Sequence, residues 1–378
     1  MKSEASEPKP ARRPSPWHRP IWWLNLLAIG TLLLSYLCAR VSPAAVWPLA
    51  LVGIAYPWLL LANAVFIAYW LIFRKRRIWP SLLCILLGWG HVGDHMQLFG
   101  TRHDAADSAA FKVMSYNVRL FDLYNWTSNV HTRDEIFDLL RMEDADVLCM
   151  QEFFNGDAGS YFATRDTLLN AFRWTDMYDR YTQHTRHGHH FGIATVSTFP
   201  IINKGSIEFP DDLNNLCIWT DLLVLGDTIR VYNAHLASIR FGDEDYAFIH
   251  QLDAGMAGDS LASGGRRIIG RLRSAFIRRA QEVEHITGHM QACPHPIVFC
   301  GDLNDTPMSY SYGMLRGDLK DAFVESGRGL GNTYIGDLPS FRIDHLLHSP
   351  SLRSSGFMTL PDELSDHRPI TCWIDVVK

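Results

Sequence analysis

From Val41 to Phe73 the chain carries 33 consecutive residues without a charged side chain, and Arg74-Lys75-Arg76-Arg77 follows at once. A helix needs about 20 apolar residues to cross roughly 30 Å of hydrocarbon, so such a run is hard to place in a water-exposed fold. Pro43 and Pro48 lie early in it and read as a turn, which leaves a helix at about 47–73. Another uncharged run, Ile21–Ala39, precedes it. A third and weaker one, Ile78–Val92, is interrupted by Gly88, Gly90 and His91. The expectation is a transmembrane region over 21–93, with spans near 21–39, 47–73 and 78–93. A cleaved signal peptide fits poorly, because the first run is long and the next follows almost immediately.

Charge divides the chain at the same place. Residues 1–100 hold ten Lys and Arg against Glu4, Glu7 and Asp94, a balance of +7. The rest of the 35 basic and 40 acidic residues give 25 against 37, a balance of -12. The basic tail over 1–20 and the Arg74–Arg77 cluster both prefer the cytoplasm, with two helices between them. Three spans then place everything after Val92 on the extracytoplasmic (periplasmic) side of an inner or plasma membrane, whereas two would leave it in the cytoplasm. Three is the expectation.

Beyond a small polar linker over 94–110, residues 111–378 alternate short apolar runs with turn residues. Phe111–Val118, Val147–Met150, Gly192–Ser197, Cys217–Val224, Thr228–Ala234, Ile297–Cys300, Ile343–Leu347 and Ile370–Val376 read as strands. Asp134–Met142 and Arg266–His289 have helical patterns, so the domain is α/β. The seven cysteines show no CxxC spacing and read as buried free thiols. The six Arg between Arg266 and Arg279 suit a surface helix whose long side chains cover apolar neighbours better than a nucleic-acid patch, because the surrounding domain is acidic.

Polar residues suited to metal and proton chemistry recur at the ends of these strands. They are Asn117 in MSYNVR, Glu152 in VLCMQEF, Asn233 and His235 in RVYNAHLAS, Asp302 and Asn304 in IVFCGDLNDTP, Asp344 in FRIDHLL, and Asp366 and His367 in LSDHRPI. One such Asp or Asn is ordinarily a turn former, but repetition at strand ends presents side chains to a shared crevice. The four His of His184–His190 (HTRHGHH) have no Cys or carboxylate at ligand spacing, so an active-site rim is expected there rather than a zinc site. Ser197, Ser238 and Ser309 lack a G-x-S-x-G context, which disfavours a serine hydrolase.

The segments SYNVR, QEF, NAHL, GDLND, RIDH and SDHRP, in this order, resemble the endonuclease/exonuclease/phosphatase (DNase I-like) superfamily of metal-dependent phosphoesterases. The resemblance covers about residues 111–377. It implies a four-layered α/β sandwich of two packed sheets, here preceded by two or three transmembrane helices. It also implies that Glu152, with Asn117 beside it and Asp366 assisting, holds Mg²⁺, with Mn²⁺ as the alternative. His367 held by Asp344 is the implied general base acting on water. Asp302 and Asn304 position the water and phosphoryl oxygens, and His235 contacts the phosphate with Asn233 in support. Arg119 stands where abasic-site endonucleases carry Asp, which argues against a base-excision role. Its guanidinium suits either a substrate phosphate or a surface salt bridge.

The function expected is a membrane-anchored, divalent-metal-dependent phosphodiesterase or phosphatase, held to the lipid bilayer by its N-terminal helices. The substrate is a phospholipid, a small phosphoester or a nucleic acid, and no protein partner is inferred. The alternative is an inactive membrane scaffold using the same fold for binding, which the filled catalytic positions disfavour.

Overall fold

The computed structural model describes residues 17–101, 110–186, 188–251, 258–336 and 338–377. Most of the basic tail (1–16) and most of the linker (102–109) lie outside the described residues.

The N-terminal region is helical. It comprises α1 (His18–Ser35), α2 (Pro43–Val46), α3 (Pro48–Ile54), α4 (Tyr56–Phe73), α5 (Trp79–Leu87) and α6 (Trp89–His95). Prolines in the first turn of α2, α3, α4 and α5 explain the segmentation, since Pro starts a helix readily and cannot continue one. The expected span at 47–73 is thereby corrected to α3 followed by α4, and the one at 78–93 is broken at Gly88. Among the described residues, one helix, Tyr56–Phe73, is long and apolar enough to cross a membrane. Helix α1 equals it in length but carries His18, Arg19, Asn25 and Thr31.

These helices run back and forth between two ends. At one end Arg77 donates to the His18 carbonyl, and the His18 ring lies 5.5 Å from Phe73. At the other, Tyr36 stacks on His91 and Tyr56 packs on His95. Buried polar groups cross-link them: Asn25 donates to Ser81 Oγ at 2.7 Å and accepts from Trp70 Nε1 at 2.9 Å, and Asn63 donates to the Ala28 carbonyl. In a low-dielectric bundle such bonds fix helix pairing.

Two six-stranded mixed sheets follow. The first has the order β11-β12-β1-β2-β4-β3 and the second β5-β6-β7-β8-β10-β9. Their strands are β1 (Phe111–Asn117), β2 (Val147–Asn155), β3 (Asp176–His184), β4 (His190–Ser197), β5 (Ile201–Glu208), β6 (Leu216–Val224), β7 (Asp227–His235), β8 (Ile297–Asp302), β9 (Lys320–Asp321), β10 (Asp344–His348), β11 (Leu352–Thr359) and β12 (Ile370–Val376). Helices α7 (Thr132–Glu143) and α8 (Thr164–Ala171) cover the first sheet through Ile136, Leu140 and Leu168. Helices α10 (Gly258–Gln291) and α11 (Tyr310–Arg316) cover the second through Val283, Ile286 and Leu315, while α9 (Asp243–Gln251) precedes α10 and α12 (Ala322–Ser326) follows β9. Val113, Cys149, Val231 and Cys300 fill the space between the sheets. The layers are therefore helix, sheet, sheet, helix, and all seven thiols are free.

The helical region is docked against this sandwich at backbone contact. Met308, in the turn before α11, is buried among Leu32, Leu49 and Tyr56. A Cβ at Gly53 would collide with the Met308 carbonyl, and one at Gly313 with the Ala39 carbonyl, so glycine permits the approach on both sides. Four of the six arginines of α10 are taken up by acidic neighbours: Arg267 and Arg271 pair with Asp245, Arg278 with Asp212 and Arg279 with Asp305. This is the covering helix that the acidic composition favoured, not a free cationic face.

Candidate active site

Strands β1, β2, β7, β8 and β10 end together at one edge of the sandwich, and the chemistry-bearing residues sit on those ends. Asn117 closes β1 and is fully buried; its Nδ2 donates to Asp302 Oδ2 at 3.0 Å and to Glu152 Oε1 at 3.2 Å. Glu152 lies inside β2 at a register shift between Met150 and Phe153, with φ at 47°. A bulge with a left-handed residue breaks the in-out alternation of the strand and re-aims one side chain. Here it turns the Glu152 carboxylate, 34% exposed, toward the strand ends.

Around Asp302 Oδ2 stand two imidazoles, His235 Nε2 and His367 Nε2, each at 3.6 Å. His235 Nε2 is also 3.7 Å from Glu152 Oε1. Asn304 adopts φ 50° directly after β8, its backbone N–H donating to Asp302 Oδ1 at 2.8 Å. Its Nδ2 reaches the Leu236 carbonyl and Asp302 Oδ2. His367 is buried, and its Nδ1 lies 2.8 Å from Asp344 Oδ2. With that nitrogen committed to the carboxylate, Nε2 is the one left to exchange a proton. Thr333 Oγ1 accepts from the backbone N–H groups of Ile343 and Asp344 and so fixes the carboxylate's strand. The Tyr334 ring meets the His367 ring edge-on at 5.5 Å.

Burial alone would depress the His367 imidazolium, but Asp344 and Asp302 hold it well above the ordinary histidine value. Burial pushes the Asp302 carboxyl upward, opposed in part by the two imidazoles. Asp344 Oδ1 is buried without a hydrogen-bond partner in the protein. Among the described residues, ligand atoms of Asp302, Asp344 and His367 lie within 4.8 Å of one another. Within that trio His367 is bonded to Asp344 Oδ2, whereas Glu152 offers an accessible carboxylate. A carboxylate-rich donor set with an orphaned oxygen fits a hard divalent cation.

The remaining expected residues divide. Asp366 lines the same cavity as Glu152 and His367, and its Oδ2 lies 3.4 Å from Arg119 Nε. Arg119 also lies over the Trp126 ring at 4.6 Å, so its charge is engaged at the rim. Asn233 is not brought to the strand ends with the others. It is fully buried, donates to the Ala194 carbonyl at 2.9 Å and accepts from Gln151 Nε2 at 2.7 Å, which ties the two sheets together. Of the His184–His190 segment, His184 closes β3, His190 opens β4 and His187 lies outside the described residues; Gln183 and Phe191 of the same strands line a groove beside Glu152 and His235. Thr333, Tyr334 and Phe341 were missed from sequence; GNTYIGDLPSF has turn composition and gives no periodic signal.

Residues 114–367 match the Endonuclease/Exonuclease/phosphatase family. The chain belongs to this family. Enzymes of the Endonuclease/Exonuclease/phosphatase family are hydrolases of phosphoester bonds and generally use divalent metals. Residues 18–95 match a separate Domain of unknown function (DUF8431). No curated protein matches the sequence. Among solved structures, a humanised D. rerio TDP2 aligns over 71% of this chain and 100% of its own, with 14% identity and a TM-score of 0.51. The human Nocturnin catalytic domain with bound sulfate covers 75% and 98%, with 18% identity and a TM-score of 0.50. A Bacteroides thetaiotaomicron mannosyl-6-phosphatase covers 70% and 99%, with 17% identity and a TM-score of 0.50. At such identities the likeness establishes the sandwich fold.

Proposed function

We propose that this family member is a membrane-anchored, divalent-metal-dependent phosphoesterase in which His367 activates water. The observation that carries the reading is the convergence of Glu152, Asn117, Asp302, Asn304, His235 and the His367–Asp344 pair at one edge of the sheets. Hydrolysis of a phosphoester needs a proton acceptor for water, donors on the phosphoryl oxygens and compensation of charge developing there. His367 takes the water proton at Nε2, and Asp344 stabilises the resulting imidazolium through Nδ1. His235 directs an N–H group at a phosphoryl oxygen, and Asn304 holds Asp302 between the two imidazoles. Glu152, with Asn117 and Asp366 beside it, would hold the cation, which supplies charge neutralisation for the phosphoryl group.

The anchoring rests on the helical region. Helix α4 exposes Leu61, Val65 and Ile72, and α5 exposes Leu83 and Leu87, large apolar side chains of the kind that mark an interaction or membrane surface when they gather in one patch. The 18 residues of α4 give about 27 Å of helix, close to the hydrocarbon thickness. The Arg74–Arg77 cluster lies at the end away from Tyr56 and His95, and the sandwich docks at the Tyr56 end. The positive-inside preference then assigns the catalytic domain to the extracytoplasmic side.

The test is hydrolysis of bis(4-nitrophenyl) phosphate and 4-nitrophenyl phosphate by the full chain in detergent, with Mg²⁺, with Mn²⁺ and with EDTA. Turnover abolished by EDTA and by His367→Ala is expected; turnover indifferent to both would remove the reading. A C-terminal alkaline phosphatase fusion should be active and a C-terminal GFP fusion dark; the reverse pattern places the domain in the cytoplasm.

A further inference from the structure

One cavity that reaches the catalytic residues is not walled by the catalytic domain alone. A space of about 470 Å³ runs from Glu152, Asn304 and His367 outward to Leu51 and Ile54 of α3 and Trp58 of α4. Phe341 closes the gap between the two regions, its ring meeting Trp58 edge-on at 5.7 Å. Besides these, Ile239, Phe241, Ile249 and Leu272 line it, together with the catalytic groups and two arginines, Arg240 and Arg279.

We propose that α3 and α4 form one wall of the substrate site, and that the substrate is a membrane lipid phosphoester whose hydrocarbon chain lies along Leu51, Ile54 and Trp58. This rests on the phosphoesterase reading of Glu152, Asn304 and His367. Two observations select a lipid over a polyanion. The cations on the cavity wall are already paired: Arg279 is buried against Asp305 at 3.2 Å, and Arg240 grips both oxygens of Asp212 at 2.7 and 2.8 Å. A nucleic-acid groove needs cations free to follow a phosphate backbone. The second observation is continuity. The helix that contributes Trp58 continues into the exposed Leu61, Val65 and Ile72, so the wall beside the catalytic groups and the surface suited to acyl chains belong to one helix. A lipid can keep its chain in an apolar environment along that path while its phosphate reaches His367.

Chain length is the direct readout. A methylene removed from water is worth about fourfold in affinity at most. The full chain in nanodiscs is assayed on a series of n-alkyl 4-nitrophenyl phosphates from methyl to dodecyl, with bis(4-nitrophenyl) phosphate as the chainless reporter and a short oligothymidylate as the polyanion. The expected result is a rise in kcat/KM of at least 100-fold between the methyl and octyl esters, expressed in KM. Trp58→Ala and, separately, Leu51→Asn should each reduce the octyl-to-methyl ratio tenfold or more. A flat series with active reporter turnover overturns the lipid proposal and leaves the hydrolase reading standing. So does a chain-length dependence that both variants retain, or an oligothymidylate turned over faster than the octyl ester. Absence of turnover on every ester overturns the hydrolase reading and the proposal with it.

Discussion

Asp94, in the last turn of α6, is ion-paired with Arg316 at the end of α11, 222 residues further along the chain. The Asp94 carbonyl accepts a second bond, at 2.8 Å, from Arg342, whose guanidinium also pairs with Asp321 at 2.8 Å. Breaking a largely buried pair by removing one partner leaves the other charge uncompensated. Asp94→Asn should lower the unfolding free energy by about 2 kcal/mol. Thermal unfolding of Asp94→Asn, Arg316→Ala and the double variant in detergent gives the coupling. A double variant equal to the sum of the singles would show that the pair contributes nothing of its own.

Asn233 and Asn304 belong to two of the family's motifs but sit in different physical settings. Asn233→Ala removes the bonds from Gln151 Nε2 and to the Ala194 carbonyl that tie the two sheets, and should cost about 2–4 kcal/mol of stability while the folded fraction keeps its kcat. Asn304→Gly, which suits the positive φ, should lower kcat by roughly 10²-fold. Unfolding curves and steady-state kinetics on both variants separate the two effects, and a swapped outcome would reverse the assignment of Asn233 to packing.

Glu152 holds a left-handed backbone that a glycine would adopt without strain. Its carboxylate also shares Asn117 Nδ2 with buried Asp302. Glu152→Gly should therefore raise stability in EDTA by about 1 kcal/mol while abolishing turnover. Mg²⁺ at about 100 times its dissociation constant should stabilise the wild type by roughly 2.7 kcal/mol, and Glu152→Gln should lose most of that shift. An unchanged Mg²⁺ shift in the Gln variant would move the cation away from Glu152.

Glu282 of α10 lies beneath the segment that follows His235 and accepts the Ala237 N–H at 2.8 Å. Burial pushes its carboxyl from 4.5 to about 7. A folded-state value above the unfolded one means the folded protein holds the proton more tightly. The contribution is fully present below pH 4.5 and is lost as pH rises through about 7. Stability should fall by up to about 3 kcal/mol across that window, and Glu282→Gln should flatten the fall. Midpoints of unfolding at half-unit pH steps check it; parallel profiles for the two proteins would assign the pH dependence elsewhere.

The strands legible in the sequence are the eight interior ones, such as Val147–Met150 and Ile297–Cys300, whose two faces are both buried. The four that were not, β3, β5, β9 and β11, are the four sheet edges. An edge strand such as DMYDRYTQH meets solvent along most of its length and carries no apolar run to betray it. The site was legible for a related reason, since a strand end follows an apolar run and its polar residue stands out. Thr333, Tyr334 and Trp58 reach the same place from a turn and from a distant helix, where spacing says nothing about proximity. The helical region was legible as apolar but not as segmented, because first-turn prolines decide where one helix stops.

Gly53 and Gly313 let two backbones touch where the helices meet the sandwich. Tethers elsewhere can be exchanged for any greasy segment of sufficient length; a joint this close cannot. A replacement segment would have to reproduce the contour of residues 38–58 as well as their hydrophobicity. A fragment cut free of it would bare Met308 and leave the cavity open on one side. Residues 18–95 are thus a component of the tertiary structure that walls the cavity, and the smallest unit worth assaying is the whole chain.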